Sequence, residues 1–578
     1  MTSGMARFWT QSRVITSIRP FAHCQVNVVN YLIALAAGLS LALTACAPQE
    51  PSFDTQRLSE HVRTLSSDEF EGRGPATPGE QKTVDYLIAQ LQAAGVAPGG
   101  DLVDGRRSWT QAVPLGRFEI TGPVKLELSV AGKSQALTQG EEIAVRAAMD
   151  GSSGVRFEGV PLVFVGYGVH APERDWDDFK GIDLQGKIGI VLVNDPDFEA
   201  GAGDFGGKAM TYYGRWTYKY EEAARRGAVG MLVVHETEPA SYGWPTVKNS
   251  NTAAMFDIVR SDPAREHVPM EGWIQRDFAV DLFRRAGLDF EALKKQAQTR
   301  EFQPVTLAGA TLAAEYAVDA QVITSRNVVG LVEGRERPAE TVIYSGHWDH
   351  LGIGLPDAEG DSIYNGAVDN GTGLAALIEL GRAFAAGKRP ERSVVFLMVT
   401  AEEKGLLGSE YYAANPLYPL GKTVAVINLD SLNPWGPARD FSISGSAKLD
   451  LLDQLVATAG GMDMGFAPDS RPEAGLFFRS DHFSFAKRGV PAVSFGTGKD
   501  WVDGGREAGL AESKAYTEVR YHQPADEWRA EWPFTGLTRD LQLLYSVGAD
   551  LANSDRWPNW SADSEFRAAR DATAGERQ

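Results

Sequence analysis

Ser393–Thr400 (SVVFLMVT) runs straight into Ala401–Ser409 (AEEKGLLGS). An uncharged apolar run without polar alternation predicts a strand buried on both faces. A glutamate pair at its exit, ahead of a glycine-rich turn, is a poor place for a mere solvated patch. Thr341–Ser345, Thr423–Leu429 and Pro491–Phe495 repeat the apolar pattern, and helical patterns lie between these runs over Gly371–Ala386, Ser409–Asn415 and Lys448–Ala459. Strand–helix alternation of this kind predicts an α/β fold with a mostly parallel central sheet covered by helices. Leu537–Leu551 adds a late amphipathic helix.

The acidic residues and histidines gather at the ends of those runs. His347, Asp349 and His350 follow one strand in SGHWDHLG, Glu402 and Glu403 follow the next, and Asp430 ends a third. Asp369 precedes a helix in GAVDNGTG, Asp481 and His482 lie in RSDH, and Tyr521 and His522 lie in RYHQPAD. Ligands bind where strand ends and their loops converge. Carboxylates forced together there repel unless a cation neutralises them. Imidazole and carboxylate donors without thiolate suit Zn²⁺, with Mn²⁺ or Co²⁺ as substitutes.

The chain has 578 residues, too many for one ordinary core, and its 43% hydrophobic and 23% charged residues are those of a folded protein. Acidic residues outnumber basic ones by 76 to 56, and no basic run is present, which argues against nucleic acid as a partner. Thr55–Ala94 is helical in two pieces broken by the loop Glu71–Gly79, and residues 104–150 alternate short β-type runs with glycine and proline. Further on, Val160–Gly168, Lys187–Val193 and Ala228–Val234 are strand candidates, with a helix over about Tyr218–Arg226. GIDLQGKIGIVLV and KYEEAARRGAVGMLVV resemble the protease-associated domain, a small β-rich insert. The organisation expected is therefore 57–150 as the first part of a main domain, 151–300 as the insert, 301–556 as the rest of the main domain and 557–578 as a C-terminal tail, polar and frayed over 561–578.

Residues 1–45 carry Arg7, Arg13 and Arg19, no acidic residue and the apolar run Tyr31–Leu43, too short to span a bilayer comfortably but suited to a signal peptide. The run ends in Leu43-Thr44-Ala45-Cys46, which resembles a bacterial lipobox, so Cys46 is the expected lipidation site, with 46–56 as a tether. Ala47 resembles the sorting residue of lipoproteins placed on the periplasmic side of the outer membrane. A soluble periplasmic or secreted form is the alternative. Both cysteines, Cys24 and Cys46, fall in this segment, so disulfides contribute nothing to the remainder.

The ordered motifs SGHWDHLG, GAVDNGTG, TAEEKGLLGS, NLDS, RSDHFSFAKRGVPAV and YHQPADE resemble those of peptidase family M28, the dizinc aminopeptidase family, in particular bacterial members with a protease-associated insert. The resemblance implies the zinc-dependent exopeptidase fold and two zinc ions. His347 and Asp430 are then ligands of one ion, His522 and Glu403 of the other, and Asp369 bridges them, followed by a cis Asp369–Asn370 bond. Glu402 is implied as the general base acting on the activated water, and Asp349 as the carboxylate that orients His347. His350, Asp481, His482 and Tyr521 are candidates for supporting or substrate-contacting positions, with Asp481 orienting His482. The activity implied is removal of residues from peptides with a free N-terminus. A dipeptide carboxypeptidase, with Arg479, Arg488 or Lys499 receiving a terminal carboxylate, and a catalytically dead lipid-anchored binding protein are the alternatives; a single-metal cyclase would lack ligands that are present here.

Overall fold

In this computed structural model residues 51–354 and 356–577 are described. The expected signal segment, Cys46 and the start of the tether lie outside them. In chain order the principal strands are β1 (Thr110–Val130), β2 (Gly154–Phe164), β3 (Ile188–Leu192), β4 (Gly230–His235), β5 (Met270–Gln275), β6 (Val305–Val332), β7 (Arg337–His347), β8 (Arg392–Val399), β9 (Thr423–Leu429), β10 (Asp440–Ile443) and β11 (Ala492–Thr497).

These strands share one sheet in the order β10-β11-β9-β7-β8-β6-β2-β3-β4-β5. In the main half β8, β7, β9 and β11 are mutually parallel, with antiparallel β6 and β10 at its two sides. Every residue of β8 and β9 is buried, which explains why their sequences are mainly apolar rather than alternating. Flanking helices lie over Thr55–Leu65, Pro78–Ala93, Gly373–Ala386, Asp450–Gly460 and Thr535–Asn553. The Gly373–Ala386 helix is almost wholly buried, and the Tyr344 hydroxyl of β7 donates to the Leu544 carbonyl at 2.6 Å, tying the last long helix to the sheet.

The segment expected as an insert, called the insert below, has parallel strands of its own, β2 through β5, and a cluster of buried apolar side chains. That core runs from Leu126 to Val318, so it starts before residue 151 and ends after 300. The reason is β1 and β6, which pair antiparallel from Thr110↔Val328 to Val130↔Ala310 and carry the chain out to the insert and back. The expected short runs over 104–150 are largely one strand of 21 residues, continuous through Gly122. The helix Gly505–Val519 was also not foreseen; Leu510 and Val519 are exposed on it and only Gly509 is buried, so no buried apolar stripe marks it.

The C-terminal segment corrects the expectation of a frayed tail. Trp560, Phe566 and Arg570 are buried. The Trp560 indole donates to Gly489 O at 2.9 Å, and the Arg570 guanidinium to Thr423 O at 3.0 Å. Three separated anchors hold residues that have no helical period of apolar side chains. Among the described residues no helix is long and apolar enough to cross a membrane.

Candidate metal centre

Parallel pairing brings the carboxyl ends of β7, β8 and β9 to one rim, and each contributes a polar residue there. His347 is the last residue of β7, Glu402 and Glu403 follow β8, and Asp430 follows β9. Asp369 comes from the turn ahead of the Gly373–Ala386 helix, and its bond to Asn370 is cis. His522 arrives from beyond the Gly505–Val519 helix with φ 57°.

The donor atoms converge. His347 Nε2 lies 3.3 Å from Asp369 Oδ1 and 3.3 Å from Asp430 Oδ1. His522 Nε2 lies 3.3 Å from Asp369 Oδ2 and 3.3 Å from Glu403 Oε2. The two oxygens of Asp369 therefore face two different imidazoles, and each imidazole has a further carboxylate of its own. Donor atoms of His347, Asp369 and Glu403 fall within 4.8 Å of one another. All five residues implied as metal ligands are thus in one cluster.

Buried charge explains the electrostatics. Burial opposes the charged imidazole of His347, yet Glu402, Asp430 and Asp369 hold it well above its ordinary value. Burial also works against the Asp369 carboxylate, but hydrogen bonds from His347 and His522 keep it well below the usual range. Glu402 is pushed well up, first by burial and then by Glu403 and Asp430. Four carboxylates thus face two imidazoles, and Glu403 Oε1 has no hydrogen-bond partner. Nitrogen and oxygen donors with surplus negative charge fit divalent zinc.

The supporting contacts differ in part from expectation. His347 Nδ1 donates to the main-chain carbonyl of Asp349 at 3.0 Å, whereas the Asp349 carboxylate is 3.9 Å away. The carboxylate instead accepts the backbone N–H of Glu402 at 3.1 Å and of Glu403 at 3.4 Å. Asp349 thus orients His347 through its backbone and holds the glutamate pair through its side chain. His350 Nδ1 is 2.7 Å from Glu403 Oε1, off the hydrogen-bond direction. Tyr521 stacks on His522 with ring centroids 3.9 Å apart. Asp481 does not orient His482: both side chains are fully buried without hydrogen bonds, and His482 packs edge-on against Phe477 at 4.6 Å. Burial drops His482 to about 3 and lifts Asp481 to about 7.

Three residues that sequence reading passed over hold the loops in place. The fully buried Arg73 guanidinium donates to the carbonyls of Leu65, Trp348, Asn365, Gly366 and Asp369 at 2.6–3.3 Å. Neighbouring Gly72, at φ 62°, could not carry a Cβ, which would lie 2.5 Å from Gly352 O. Asn370 donates to His347 O and Leu429 O and accepts from Gly373 N and Ser431 N, clamping the three ligand-bearing segments together. Asp526, from the His522 motif, accepts the N–H groups of Val368 and Asp369.

A cavity of about 700 Å³ opens over the cluster, lined by Glu402, Glu403, Asp430 and His522 on one side and by insert residues such as Arg215 and His267 on the other. Of the three cations considered for a terminal carboxylate, Arg479 lines it and Lys499 does not, while Arg488 also does not and is paired with Glu410 at 2.8 Å.

An α/β sheet that gathers imidazoles and carboxylates at its strand ends is the scaffold of a metal-dependent enzyme class. Residues 327–545 match the sequence model of peptidase family M28. It is 37% identical over 113 residues to the aminopeptidase NAALADL1 of Mus musculus, covering 18% of this chain and 14% of that protein. It is also 37% identical over 103 residues to a probable zinc metalloprotease of Pyrenophora teres, covering 18% and 22%. The matched segments thus span less than a quarter of these relatives. An aminopeptidase from Aneurinibacillus sp. strain AM-1 superposes with a TM-score of 0.46 at 18% identity, over 88% of this chain and 97% of that one. The family match over this segment, together with the donor set, implies zinc at the cluster.

Proposed function

We propose that the protein is a zinc-dependent exopeptidase that removes residues from the N-terminus of peptides. The observation that carries this reading is the symmetry about Asp369, whose oxygens each stand 3.3 Å from a different imidazole. That arrangement suits two zinc ions, one held by His347, Asp430 and Asp369 and the other by His522, Glu403 and Asp369; manganese or cobalt would be accepted by the same donors. When bound, such a pair lowers the pKa of a water and stabilises negative charge developing on the scissile carbonyl oxygen.

The chain's own residues supply the rest. Glu402 makes no ion pair among the described residues and borders the cavity, so its carboxylate is free to take the proton from the attacking water and return it to the leaving amine. Asp349 fixes Glu402 by accepting its backbone N–H, and the Asp349 carbonyl sets the His347 tautomer that leaves Nε2 toward the cluster. The carboxylates of Glu402, Glu403 and Asp430 would receive the substrate's α-ammonium group. The insert roofs the cavity and limits which peptides enter.

The test is metal content together with hydrolysis of an aminoacyl-p-nitroanilide. Two zinc ions per chain and release of the free amino acid are expected; a folded sample that retains no divalent metal would overturn the reading. A dipeptide carboxypeptidase is the second reading, favoured by Arg479 on the cavity wall, and cleavage of N-blocked dipeptides but not of aminoacyl anilides would select it. We also propose that the chain is exported and anchored at Cys46 on the periplasmic side of the outer membrane. Palmitate labelling that is lost in Cys46→Ala tests this.

A further inference from the structure

The cavity is lined by the carboxylates of the cluster and, from the insert and its neighbours, by both arginines and acidic residues. Several cations on that side are already neutralised: Arg146 pairs with Glu271 at 2.9 Å, Arg260 with Asp257 at 2.7 Å and Lys487 with Glu221 at 3.4 Å. Arg215 and Arg479 form no ion pair among the described residues, in a chain where acidic groups are in excess by 20. Arg215, at the start of the helix Trp216–Arg225, has its Nε buried without any hydrogen-bond partner. Arg479 donates to the Ser241 hydroxyl at 2.9 Å and otherwise lies toward Tyr242.

Arg479 lies close to the cluster, and Arg215 lies within electrostatic reach of Arg479. Arg479 directly precedes Ser480, whose hydroxyl donates to Asp430 Oδ2 at 2.7 Å. Tyr521, stacked on His522, is within electrostatic reach of Arg479, and Arg479 in turn is within reach of Arg215. A desolvated guanidinium without an anion is costly, and its planar fork matches a carboxylate in bidentate fashion. Burial, then Arg479, lowers Arg215 to about 10, which leaves it a cation at neutral pH.

We propose that Arg215 and Arg479 form a carboxylate-binding subsite of this cavity, so that preferred substrates are short peptides bearing a carboxylate, C-terminal or side-chain, a few residues from the scissile bond. The inference takes the ligand to be a peptide from the exopeptidase reading above, and the geometry of the arginines supplies the rest. It applies whichever peptide terminus is attacked.

The test compares kcat/KM of the zinc-loaded full chain for Leu-Gly-Gly, Leu-Gly-Gly-amide and Leu-Glu-Gly-amide. A preference of about tenfold or more for a carboxylate-bearing peptide over Leu-Gly-Gly-amide is expected, as for a charge-assisted bidentate pair. Which of the two is preferred identifies the source of the carboxylate. The double variant Arg215→Gln/Arg479→Gln should bring the ratios close to one, and Arg215→Lys, which keeps the charge but loses the fork, should give intermediate values. Ratios near one in the unaltered enzyme, or ratios that persist in the double variant, would overturn the subsite while leaving the exopeptidase reading intact. Calorimetry of the same peptides on zinc-loaded Glu402→Gln separates the converse. If nothing is hydrolysed by the unaltered enzyme yet Leu-Gly-Gly or Leu-Glu-Gly-amide still binds about tenfold more tightly than Leu-Gly-Gly-amide, and the arginine substitutions abolish that difference, the subsite stands and the exopeptidase reading falls.

Discussion

His267 and His347 each sit between two carboxylates, and they are built for different cations. His267, in the insert, uses both ring nitrogens: Nδ1 lies 2.8 Å from Glu271 and Nε2 3.1 Å from Asp257. That is the geometry of an imidazolium, with one N–H for each acid, and Arg260 and Arg146 complete the network. His347, at the sheet rim, spends Nδ1 on a backbone carbonyl and turns a single nitrogen toward two carboxylate oxygens, each 3.3 Å away. One proton cannot serve both oxygens well, whereas a metal ion at that focus can. The same residue types thus make a closed ion network in one half and a donor set in the other; the difference lies in which nitrogen the backbone has claimed.

The comparison can be broken at several points. The largest effect is expected from Glu402→Gln, which removes the proton carrier without removing a donor. Turnover should fall by about 10²–10⁴-fold with zinc content unchanged by elemental analysis. A parallel loss of zinc would mean that Glu402 and Glu403 have their roles exchanged. Next comes chelation. If zinc is present at about 1,000 times its dissociation constant, stripping it should cost about 4 kcal/mol of stability. Asp369→Ala should abolish that sensitivity, because it removes an oxygen from each imidazole focus, while Asp257→Ala should destabilise the insert and leave the chelator's effect intact. Equal chelator sensitivity of Asp369→Ala and the unaltered protein, followed by thermal melts, would refute the bridging role.

A somewhat smaller loss, about 3 kcal/mol in unfolding free energy, is expected from Arg73→Met, which leaves buried carbonyls without donors. Because those carbonyls include that of Asp369, the variant should also bind zinc more weakly than its stability loss alone explains. Chemical denaturation and a zinc competition assay, run on the same sample, separate the two consequences.

The main half was legible because burial on both faces leaves a signal in every residue of a strand. β8 and β9 read as mainly apolar runs without alternation, and the residues just past their ends could be taken as site candidates on position alone. The insert gave weaker signals. β1 and β6 interleave polar and apolar residues over great length, since much of the ribbon has one exposed face, and Gly122-Pro123 looks like a stop although the strand passes through it. Arg73 was hidden for another reason. Its five acceptors are main-chain carbonyls drawn from three stretches of chain, and a carbonyl leaves no mark in sequence; only the glycines beside it, Gly72 and Gly74, hinted at a tight fit. Arg215 and His267 were invisible as partners of the cavity because the ribbon that swings the insert over the sheet is itself a long-range feature. Trp560 and Phe566 could not be read as anchors, since nothing local says what they pack against.

The smallest of the expected effects concerns pH, and it tests the insert side of the comparison directly. Burial opposes the charged form of His267, but Glu271 and Asp257 outweigh it and push the group up to about 10. Its value in the unfolded chain is about 6.5. The folded state therefore binds a proton more tightly than the unfolded one, so the stabilisation is fully present below about pH 6.5 and is lost progressively as pH rises toward 10. Burial works against the Asp257 carboxylate too, yet His267 and Arg260 hold it below its ordinary value, so its contribution disappears in the opposite direction, as pH falls through the acid range. Together these shifts place the full strength of the network between about pH 4 and pH 6.5. Zinc-loaded protein should lose a few kcal/mol of stability from this source between about pH 7 and pH 10, and His267→Gln should flatten that part of the profile. Equal slopes for the two proteins over this range, in denaturant titrations at fixed ionic strength, would show that His267 is held neutral, and the contrast with His347 would then rest on geometry without charge.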